Sequence, residues 1–257
     1  MRVTIVHPFS LLLMAGVAGA MFLGLPGQAQ DDLTLPNRGE APEIQSMNWI
    51  NSETPLRLEA LRGRVILLEF WTYDCINCIH TLPTIEGWQQ TYADAGLQVL
   101  GIHFPELSWE RDFQNVYAAT QRLNVTYPVG IDNDGATWRA YGQRYWPTIY
   151  LIDREGNIRY TRFGEGGYEQ TEQAIQALLA ETTLTPETTP APLGLDYLTP
   201  DTVLNVRAAP GTDSRLIGAI QPGMSFVILG EQDDWYEISY NDGTGFVSGE
   251  FVTRHDS

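Results

Sequence analysis

The stretch that decides the fold is Arg64-Val-Ile-Leu-Leu-Glu-Phe-Trp71, which is followed after three residues by Cys75-Ile-Asn-Cys78. An apolar, β-branched run of this kind predicts a buried strand. Helical spacing of apolar residues over 78–93 predicts a helix directly after it. The two cysteines of the chain are therefore expected where a strand ends and a helix begins.

Outward from this stretch, the following segments alternate between strand and helix. The predicted extended segments are 97–104, 127–132, 148–153 and 157–163, and the predicted helices are 106–123 and 168–180. Strands that alternate with helices and end in a hairpin and a helix indicate a three-layer α/β/α domain. On the N-terminal side, residues 31–47 are polar and interrupted by proline, and we expect them to wrap loosely.

The composition changes at Glu181. Residues 183–199 are rich in Thr and Pro, which favours an extended linker. Residues 200–257 then run in short segments between turns such as Gln221-Pro-Gly223 and Asn241-Asp-Gly243, a rhythm that indicates a small all-β barrel. Because few contacts should cross such a linker, we expect residues 31–182 to form a domain that works without the barrel.

Residues 1–30 are typical of a targeting segment. Residues 11–25 carry no charge, and Gly27 and Ala29 supply the small residues of a cleavage site before Asp31. The apolar run is shorter than the roughly 20 residues that a membrane-spanning helix needs, which favours a cleaved signal peptide. An uncleaved membrane anchor is the alternative. Both interpretations place the rest of the chain outside the cytoplasm, in the periplasm or cell envelope.

The formal net charge of −17 at pH 7 excludes one class of partner. Binding to nucleic acid depends on Lys and Arg side chains that displace counterions from phosphates, and phosphates repel a chain this acidic. We therefore expect no nucleic-acid partner.

Two cysteines separated by two residues have few chemical uses. A structural disulfide across so short a loop would restrict the unfolded chain very little. A zinc site needs about four ligands, and the sequence has no second cysteine pair. We therefore predict no metal or other cofactor and assign Cys75 and Cys78 to thiol–disulfide redox chemistry.

The position of the pair predicts the order of the chemistry. A cysteine at a helix N-terminus is stabilised as a thiolate by unpaired backbone N–H groups and by the helix dipole. Cys75 should therefore attack a substrate disulfide, and Cys78, one turn later, should resolve the mixed disulfide. Oxidation of a substrate runs the same steps backwards.

The stretch from Phe70 to Cys78 resembles the thioredoxin superfamily, and specifically its exported redoxin branch, typified by the C-terminal domain of DipZ-like proteins. The likeness covers most of residues 60–180 and includes Tyr127-Pro-Val129, Tyr145-Trp-Pro147 and Phe163-Gly-Glu-Gly-Gly-Tyr168. The resemblance implies a thioredoxin fold and a thiol–disulfide oxidoreductase. Its partners would be protein thiols and disulfides and an upstream redox protein.

The same resemblance implies roles for four further residues. Pro147 should be a cis-proline that faces the disulfide, beside a backbone that pairs with an extended substrate segment. Glu69 should be a buried carboxylate that moves a proton to and from Cys78, with a solvent-facing glutamate as the alternative. Trp71 and Trp146 should flank the disulfide and contact substrate, unless they serve core packing alone.

The C-terminal segment carries a second resemblance. Leu204-Asn-Val-Arg-Ala-Ala-Pro-Gly211, Trp235-Tyr236 and Gly245-Phe-Val247 resemble the bacterial SH3 family. This implies an SH3-like barrel that binds cell-wall glycan or peptide. A spacer or stability domain is the alternative, because a fold does not establish a function.

These observations lead to one leading hypothesis and two alternatives. The leading hypothesis is an exported thiol–disulfide oxidoreductase held near the envelope by its barrel. The alternatives are a redoxin-type thiol peroxidase and a cell-wall binding protein that uses its thioredoxin domain only as a scaffold. The paired cysteines favour disulfide exchange over peroxide reduction, and a scaffold would need neither these cysteines nor Glu69 and Pro147.

Overall fold

The computed structural model describes residues 34–181 and 194–257. The expected signal peptide, residues 1–30, and most of the expected linker lie outside the described residues. Within the two described ranges, no helix combines the length and the apolar character needed to span a membrane.

Short strands and a few helices make up the described chain. The strands are β1 (Asn48–Ile50), β2 (Val65–Trp71), β3 (Leu97–His103), β4 (Val129–Ile131), β5 (Thr148–Ile152), β6 (Ile158–Phe163), β7 (Tyr197–Pro200), β8 (Leu204–Arg207), β9 (Leu216–Ile220), β10 (Met224–Gln232), β11 (Trp235–Tyr240), β12 (Gly243–Ser248) and β13 (Val252–His255). The α-helices are α1 (Ile76–Tyr92), α2 (Phe113–Arg122), α3 (Ala136–Ala140) and α4 (Tyr168–Ala180), and short 3-10 helices lie at Glu59–Leu61, Ala93–Ala95, Ser108–Arg111 and Gly249–Phe251.

Strand β2 lies at the centre of residues 34–181, which we call the redox domain. It runs parallel to β3 and antiparallel to β5, while β4 extends the sheet beyond β3 and β6 extends it beyond β5. All of β2 is buried because both faces of the sheet are covered. Helices α1, α2 and α4 cover one face, and α3 covers the other together with the segment around Ile44 and Leu58. The predicted three-layer thioredoxin-type domain is confirmed.

Residues 194–257 form the second sheet system, which we call the barrel. Its strands follow the order β10-β11-β12-β8-β9, and β7 pairs with both β10 and β13. Strand β7 begins at Tyr197, inside the segment that the sequence assigned to the linker. The predicted all-β module is confirmed, with an earlier start than expected.

The short strand β1 joins the barrel to the redox domain. It pairs antiparallel with β4 on one side and with β10 on the other, so that Trp49 lies opposite both Gly130 and Ser225. A strand added to the edge of a sheet exposes a new row of unpaired N–H and C=O groups, and β10 satisfies them. The sheet therefore continues from one domain into the other, and the expectation that few contacts cross between them is wrong.

One predicted helix is split in the structure. Residues 106–123 form the 3-10 helix Ser108–Arg111 and the separate helix α2. The break lies at Asp112, whose carboxylate accepts hydrogen bonds from the backbone N–H groups of Gln114 and Asn115. A side-chain acceptor of this kind starts a helix, so Asp112 begins α2 and turns the preceding segment toward the redox site. Helix α3 has no counterpart in the sequence-based expectation.

Candidate active site

Cys75 lies where the sequence predicts it, at the junction of β2 and α1. It is the N-cap of α1, and its carbonyl accepts the hydrogen bond of the Ile79 N–H at 3.0 Å. Its own N–H donates to the carbonyl of Thr72 at 3.4 Å. Both thiols are free, with Cys75 half-buried and Cys78 fully buried. The structure therefore presents one thiol to a partner and keeps the other beneath it.

The two thiols have opposite acid–base properties. A hydrogen bond from the Cys78 thiol, together with the backbone N–H groups of Cys78 and Asn77, lowers the pKa of Cys75 to about 6, against the opposing effects of burial and the Glu106 charge. Burial raises the pKa of Cys78 far above its ordinary value, and the hydrogen bond to Cys75 and the charge of Glu69 raise it further. At neutral pH, Cys75 is therefore a thiolate and Cys78 a thiol.

Glu69 lies on β2 with its side chain wholly inside the core. Its Oε2 accepts a hydrogen bond of 2.9 Å from the Tyr127 hydroxyl, while Oε1 has no partner among the described residues. Burial raises the pKa of Glu69 to about 8, the Tyr127 hydrogen bond opposes this rise, and the Cys75 charge adds to it. A carboxyl group that titrates near neutral pH can both give and take a proton there. The solvent-facing alternative for Glu69 is excluded.

Sequence reasoning gave no role to Tyr127, although it quoted the motif Tyr127-Pro-Val129. Tyr127 is almost fully buried, and burial raises its pKa well above the ordinary value, so that its hydroxyl remains a donor. Gly101 pairs with Glu69 across β3 and β2. A Cβ at Gly101 would lie 2.9 Å from Trp71 Nε1 and 3.1 Å from Tyr127 Cε2, so glycine lets both rings close over the carboxylate.

Pro147 and Trp146 lie at the start of β5. The Trp146–Pro147 peptide bond is cis, and the Pro147 carbonyl accepts a hydrogen bond of 2.8 Å from the Gly164 N–H. Trp146 is half-buried, its Nε1 donates to the Phe104 carbonyl at 3.1 Å, and its ring packs on Trp138 with 4.4 Å between centroids. Trp146 therefore has both a fixed orientation and a face that a partner can reach.

Trp71 does not lie where the resemblance implied. Side chains two residues apart on a strand share a face, so Trp71 points into the same core as Glu69. It packs in the cluster that contains Cys78, has no exposed surface, and meets the ring of His103 edge-on at 5.6 Å. A side chain with no exposed surface cannot contact a substrate, so the predicted substrate-binding role of Trp71 is wrong.

A second buried carboxylate, Glu110, holds the loop before Cys75 and was not found from the sequence. Its Oε1 accepts hydrogen bonds from the Thr72 hydroxyl at 2.5 Å and from the Asp74 N–H at 3.2 Å. Its Oε2 accepts from the N–H groups of Glu106 and Leu107, each at 2.7 Å. Four donors compensate the cost of burying this carboxylate. Glu110 therefore fastens the segment after β3 to the loop that carries the nucleophile.

The two histidines near the site differ in surroundings. His103 is fully buried, its ring stacks on Tyr73 at 5.7 Å, and its Nε2 lies 3.3 Å from Thr72 Oγ1. Burial lowers the pKa of His103 to about 3, so it is a neutral packing residue. His80 is exposed on α1 and forms a surface contact of 3.2 Å with Glu165. Neither histidine contacts the cysteines through any hydrogen bond in the described chain.

The described residues contain no group of three His, Cys, Asp or Glu side chains that could hold a metal ion.

Comparison with family models divides the chain in the same way as the structure. Residues 37–161 match the AhpC/TSA family, and residues 202–253 match the bacterial SH3 domain.

Curated relatives match more than half of the chain. The chain is 37% identical over 209 residues to Protein DipZ of Mycobacterium bovis and of Mycobacterium tuberculosis, a match that covers 76% of this chain and 30% of DipZ. The chain thus spans less than a third of the length of these relatives. It is 27% identical over 146 residues to the thiol-disulfide oxidoreductase YkuV of Bacillus subtilis, which covers 56% of this chain and 97% of YkuV.

Solved structures support the same assignment. A thioredoxin-like superfamily protein is 31% identical with a TM-score of 0.53, covering 56% of this chain and 99% of its own. A thiol:disulfide interchange protein DsbE from Chlorobium tepidum is 26% identical with a TM-score of 0.50, covering 57% of this chain and 99% of its own. The chain is thus similar to thiol–disulfide oxidoreductases and carries a bacterial SH3 domain at its C-terminus. It belongs to the thioredoxin-like superfamily.

Proposed function

We propose that this protein is an exported thiol–disulfide oxidoreductase that exchanges disulfides with envelope proteins through Cys75 and Cys78. One observation carries the proposal. Within one turn of α1, a half-buried thiol of lowered pKa accepts a hydrogen bond from a buried thiol of raised pKa. Titratable neighbours whose pKa values are pushed apart mark the two partners of a reaction, here the attacking and the resolving thiol.

The first step forms a mixed disulfide. The Cys75 thiolate attacks one sulfur of a substrate disulfide, so that this S–S bond breaks while a bond forms between Cys75 and the substrate. The other substrate sulfur leaves as a thiolate and takes a proton from solvent.

The second step closes the disulfide of the enzyme. Cys78 loses its proton and attacks the Cys75 sulfur, the mixed disulfide breaks, and the second substrate sulfur leaves as a thiolate. The substrate has then gained two electrons, and Cys75 and Cys78 have lost two. An upstream dithiol partner restores the reduced pair, and the reverse sequence oxidises a substrate dithiol.

Glu69 supplies the base for the second step. Cys78 is buried and strongly disfavours ionisation, so its proton needs a nearby acceptor inside the core. Glu69 has a pKa of about 8 and one carboxylate oxygen without a partner among the described residues. The reverse reaction uses the protonated form of Glu69 as the acid.

The surroundings of Cys75 suit an extended protein segment with apolar side chains. Ile76, Tyr145 and Phe163 are more than half exposed, and the rings of Tyr145 and Phe163 meet at 6.2 Å. Exposed apolar side chains grouped beside a functional site commonly mark a protein-binding surface. We propose that Trp146 and Pro147 border the bound segment.

The barrel and the N-terminal segment supply location in this proposal. Residues 1–30 would direct export, and the barrel would hold the enzyme near cell-wall glycan or peptide. The match of residues 202–253 to the bacterial SH3 domain supports this role.

Disulfide exchange is favoured over peroxide reduction by the position of the resolving thiol. Cys78 lies one turn from Cys75 and donates a hydrogen bond to it. A resolving thiol in contact with the nucleophile can release a trapped partner without a large movement of the chain. A disulfide-exchange enzyme requires this release.

Trapping of partners tests the proposal. Cys78→Ser should accumulate mixed disulfides with envelope proteins in cells, because Cys75 attacks and nothing resolves the product. Cys75→Ser is the matched control and should accumulate none. Equal trapping by both variants, or by neither, would contradict the assignment of the two thiols.

A further inference from the structure

One segment of the redox domain, residues 106–114, contacts the barrel on one side and the redox loop on the other. The redox loop is Thr72–Asp74 with Cys75. The segment includes the 3-10 helix Ser108–Arg111 and the first residues of α2. The residue that contacts the redox loop, Glu110, directly precedes the residues that contact the barrel, which begin at Arg111.

On the barrel side, Phe113 is the main contact. Its ring packs on Phe226 at 5.4 Å and on Tyr240 at 6.0 Å between centroids. Its backbone N–H donates a 2.8 Å hydrogen bond to Asn241 Oδ1 of the barrel. The first N–H groups of a helix have no partner within the helix, so Asn241 completes the N-terminus of α2 from another domain.

Polar contacts on either side of Phe113 strengthen this junction. Arg111 donates to Asp242 of the barrel at 2.8 Å and to the Asn133 carbonyl at 3.0 Å. Asn133 in turn donates through Nδ2 to the carbonyl of Asn241 at 3.3 Å. Gln114 Nε2 donates to the barrel carbonyl of Ala219.

On the redox side, Glu110 is the contact. It is fully buried, and it accepts hydrogen bonds from Thr72 and Asp74 with one oxygen and from Glu106 and Leu107 with the other. Glu110 is the neighbour of Arg111 in the chain. A chain of contacts therefore joins the barrel to the redox loop. It runs from Asn241 to the first turn of α2, from there along the backbone to Glu110, and from Glu110 to Thr72 and Asp74.

We infer that the barrel is a positioning element of the redox site, which acts through residues 106–114 with Asn241 and Glu110 as positioning residues. The barrel fixes the position of the first residues of α2, and these fix the position of Glu110. Glu110 in turn fixes the redox loop, which places Cys75 at the N-terminus of α1. The inference replaces the expectation that the barrel serves location alone.

The inference rests on the proposed role of Cys75 as nucleophile, but its test needs no substrate protein. The readout is the rate at which Cys75 is alkylated by iodoacetamide as a function of pH, followed by mass spectrometry in the full-length protein. Because the Cys75 thiolate depends on the N–H groups of Asn77 and Cys78, a shift of the loop should raise its pKa toward the ordinary value. The titratable groups that act on Cys75 are Cys78, Glu69 and Glu106. The Asn241 variants substitute none of them, and Glu106 lies in the segment that moves, so its charge contributes to the measured shift.

The variants change only the hydrogen bond between Asn241 of the barrel and the Phe113 N–H at the start of α2. Asn241 has a positive φ of 53°, which glycine adopts without strain. Asn241→Gly therefore removes the Oδ1 acceptor and keeps the backbone. Asn241→Asp is the matched control, since it keeps an acceptor oxygen at the same place, and high salt screens its added charge.

We expect the alkylation midpoint of Asn241→Gly to rise by about half a unit, which is about a threefold loss of thiolate below the midpoint. Asn241→Asp should match the wild type. An unchanged profile in Asn241→Gly, or an equal shift in both variants, would overturn the inference.

A second variant tests the route. Glu110→Gln should raise the midpoint by about one unit, and the double variant with Asn241→Gly should show no further rise, because both act through one path. Additive shifts would show that Asn241 does not act through Glu110 and would overturn the route. If Glu110→Gln fails to fold, the two Asn241 variants decide the inference by themselves.

Discussion

Removal of one hydroxyl group from the core, in Tyr127→Phe, should change the pH at which the resolving step works. The Tyr127 hydroxyl donates the single hydrogen bond that Glu69 receives among the described residues, at 2.9 Å to Oε2. Phe keeps the ring and its packing, so the variant should remain folded. The carboxylate form of Glu69 then loses the stabilisation by its hydrogen-bond donor, and the neutral acid loses less stabilisation, so the pKa of Glu69 rises.

The size of the effect follows from this hydrogen bond. A hydrogen bond to a charged group contributes about 1.5–3 kcal/mol, and about 1.4 kcal/mol corresponds to one pKa unit. The pKa of Glu69 should therefore rise from about 8 to roughly 9–10. At any pH below the pKa of Glu69, a rise of about one unit or more lowers the fraction of Glu69 in the base form about tenfold or more. The resolving step should slow by the same factor.

The assay isolates that step. A mixed disulfide between Cys75 and a coloured aromatic thiol is formed at low pH, the pH is raised by rapid mixing, and release of the thiolate by Cys78 is followed by absorbance. The rate of the variant should meet that of the wild type only at alkaline pH. Tyr92→Phe is the control, because the Tyr92 hydroxyl donates its 2.7 Å hydrogen bond to Glu172 and not to Glu69. If the pH midpoint of the release rate in Tyr127→Phe equals that of the wild type or lies below it, Tyr127 does not set the pKa of Glu69.

Three further results are expected. In the wild type, iodoacetamide should label Cys75 with a midpoint near pH 6 and leave Cys78 unlabelled while the protein is folded, as mass spectrometry of the two positions can show. Burial raises the pKa of Glu69 from its ordinary value of 4.5 to about 8, so burial of the carboxylate costs stability, and this cost grows as the pH rises from about 4.5 to about 8. Urea unfolding should therefore show that the free energy of unfolding of Glu69→Gln exceeds that of the wild type by a growing margin over this window, up to a few kcal/mol. Gly101→Ala should destabilise the protein by about 1–3 kcal/mol, because the added Cβ would lie 2.9 Å from Trp71 Nε1. A melting temperature equal to that of the wild type would show that the ring has room to move.

The parts of the site that could be predicted from the sequence are those with a local signal. The apolar run of β2, the cysteine pair and the helix after it follow one another in the chain, and periodicity places them. The predicted position of Trp71, in contact with substrate, was wrong although a local signal existed. It lies two residues from Glu69, so a carboxyl group placed inside the core should have placed the indole there too.

The parts that could not be predicted depend on contacts distant in sequence. Glu110 stands in an acidic and polar stretch that is typical of a solvent-exposed helix, and only folding brings the Thr72 and Asp74 donors around it. Strand β1 has three residues, too few for a periodic pattern, and it forms because β4 and β10 offer edges on both sides. Pairing between strands that lie far apart in the sequence leaves no trace in local composition.

The mutual charge effects in the site also set the order of its steps. The Cys75 thiolate raises the pKa of Glu69 and that of Cys78, so the resolving pair keeps its protons while the nucleophile is free. Formation of the mixed disulfide removes that negative charge, because the Cys75 sulfur then forms a neutral bond. The pKa of Glu69 should fall at this moment, and the Cys78 thiol loses its acceptor on Cys75. Glu69 therefore becomes a free carboxylate when Cys78 needs a proton acceptor. Cys78 is then deprotonated only once there is a mixed disulfide for it to attack.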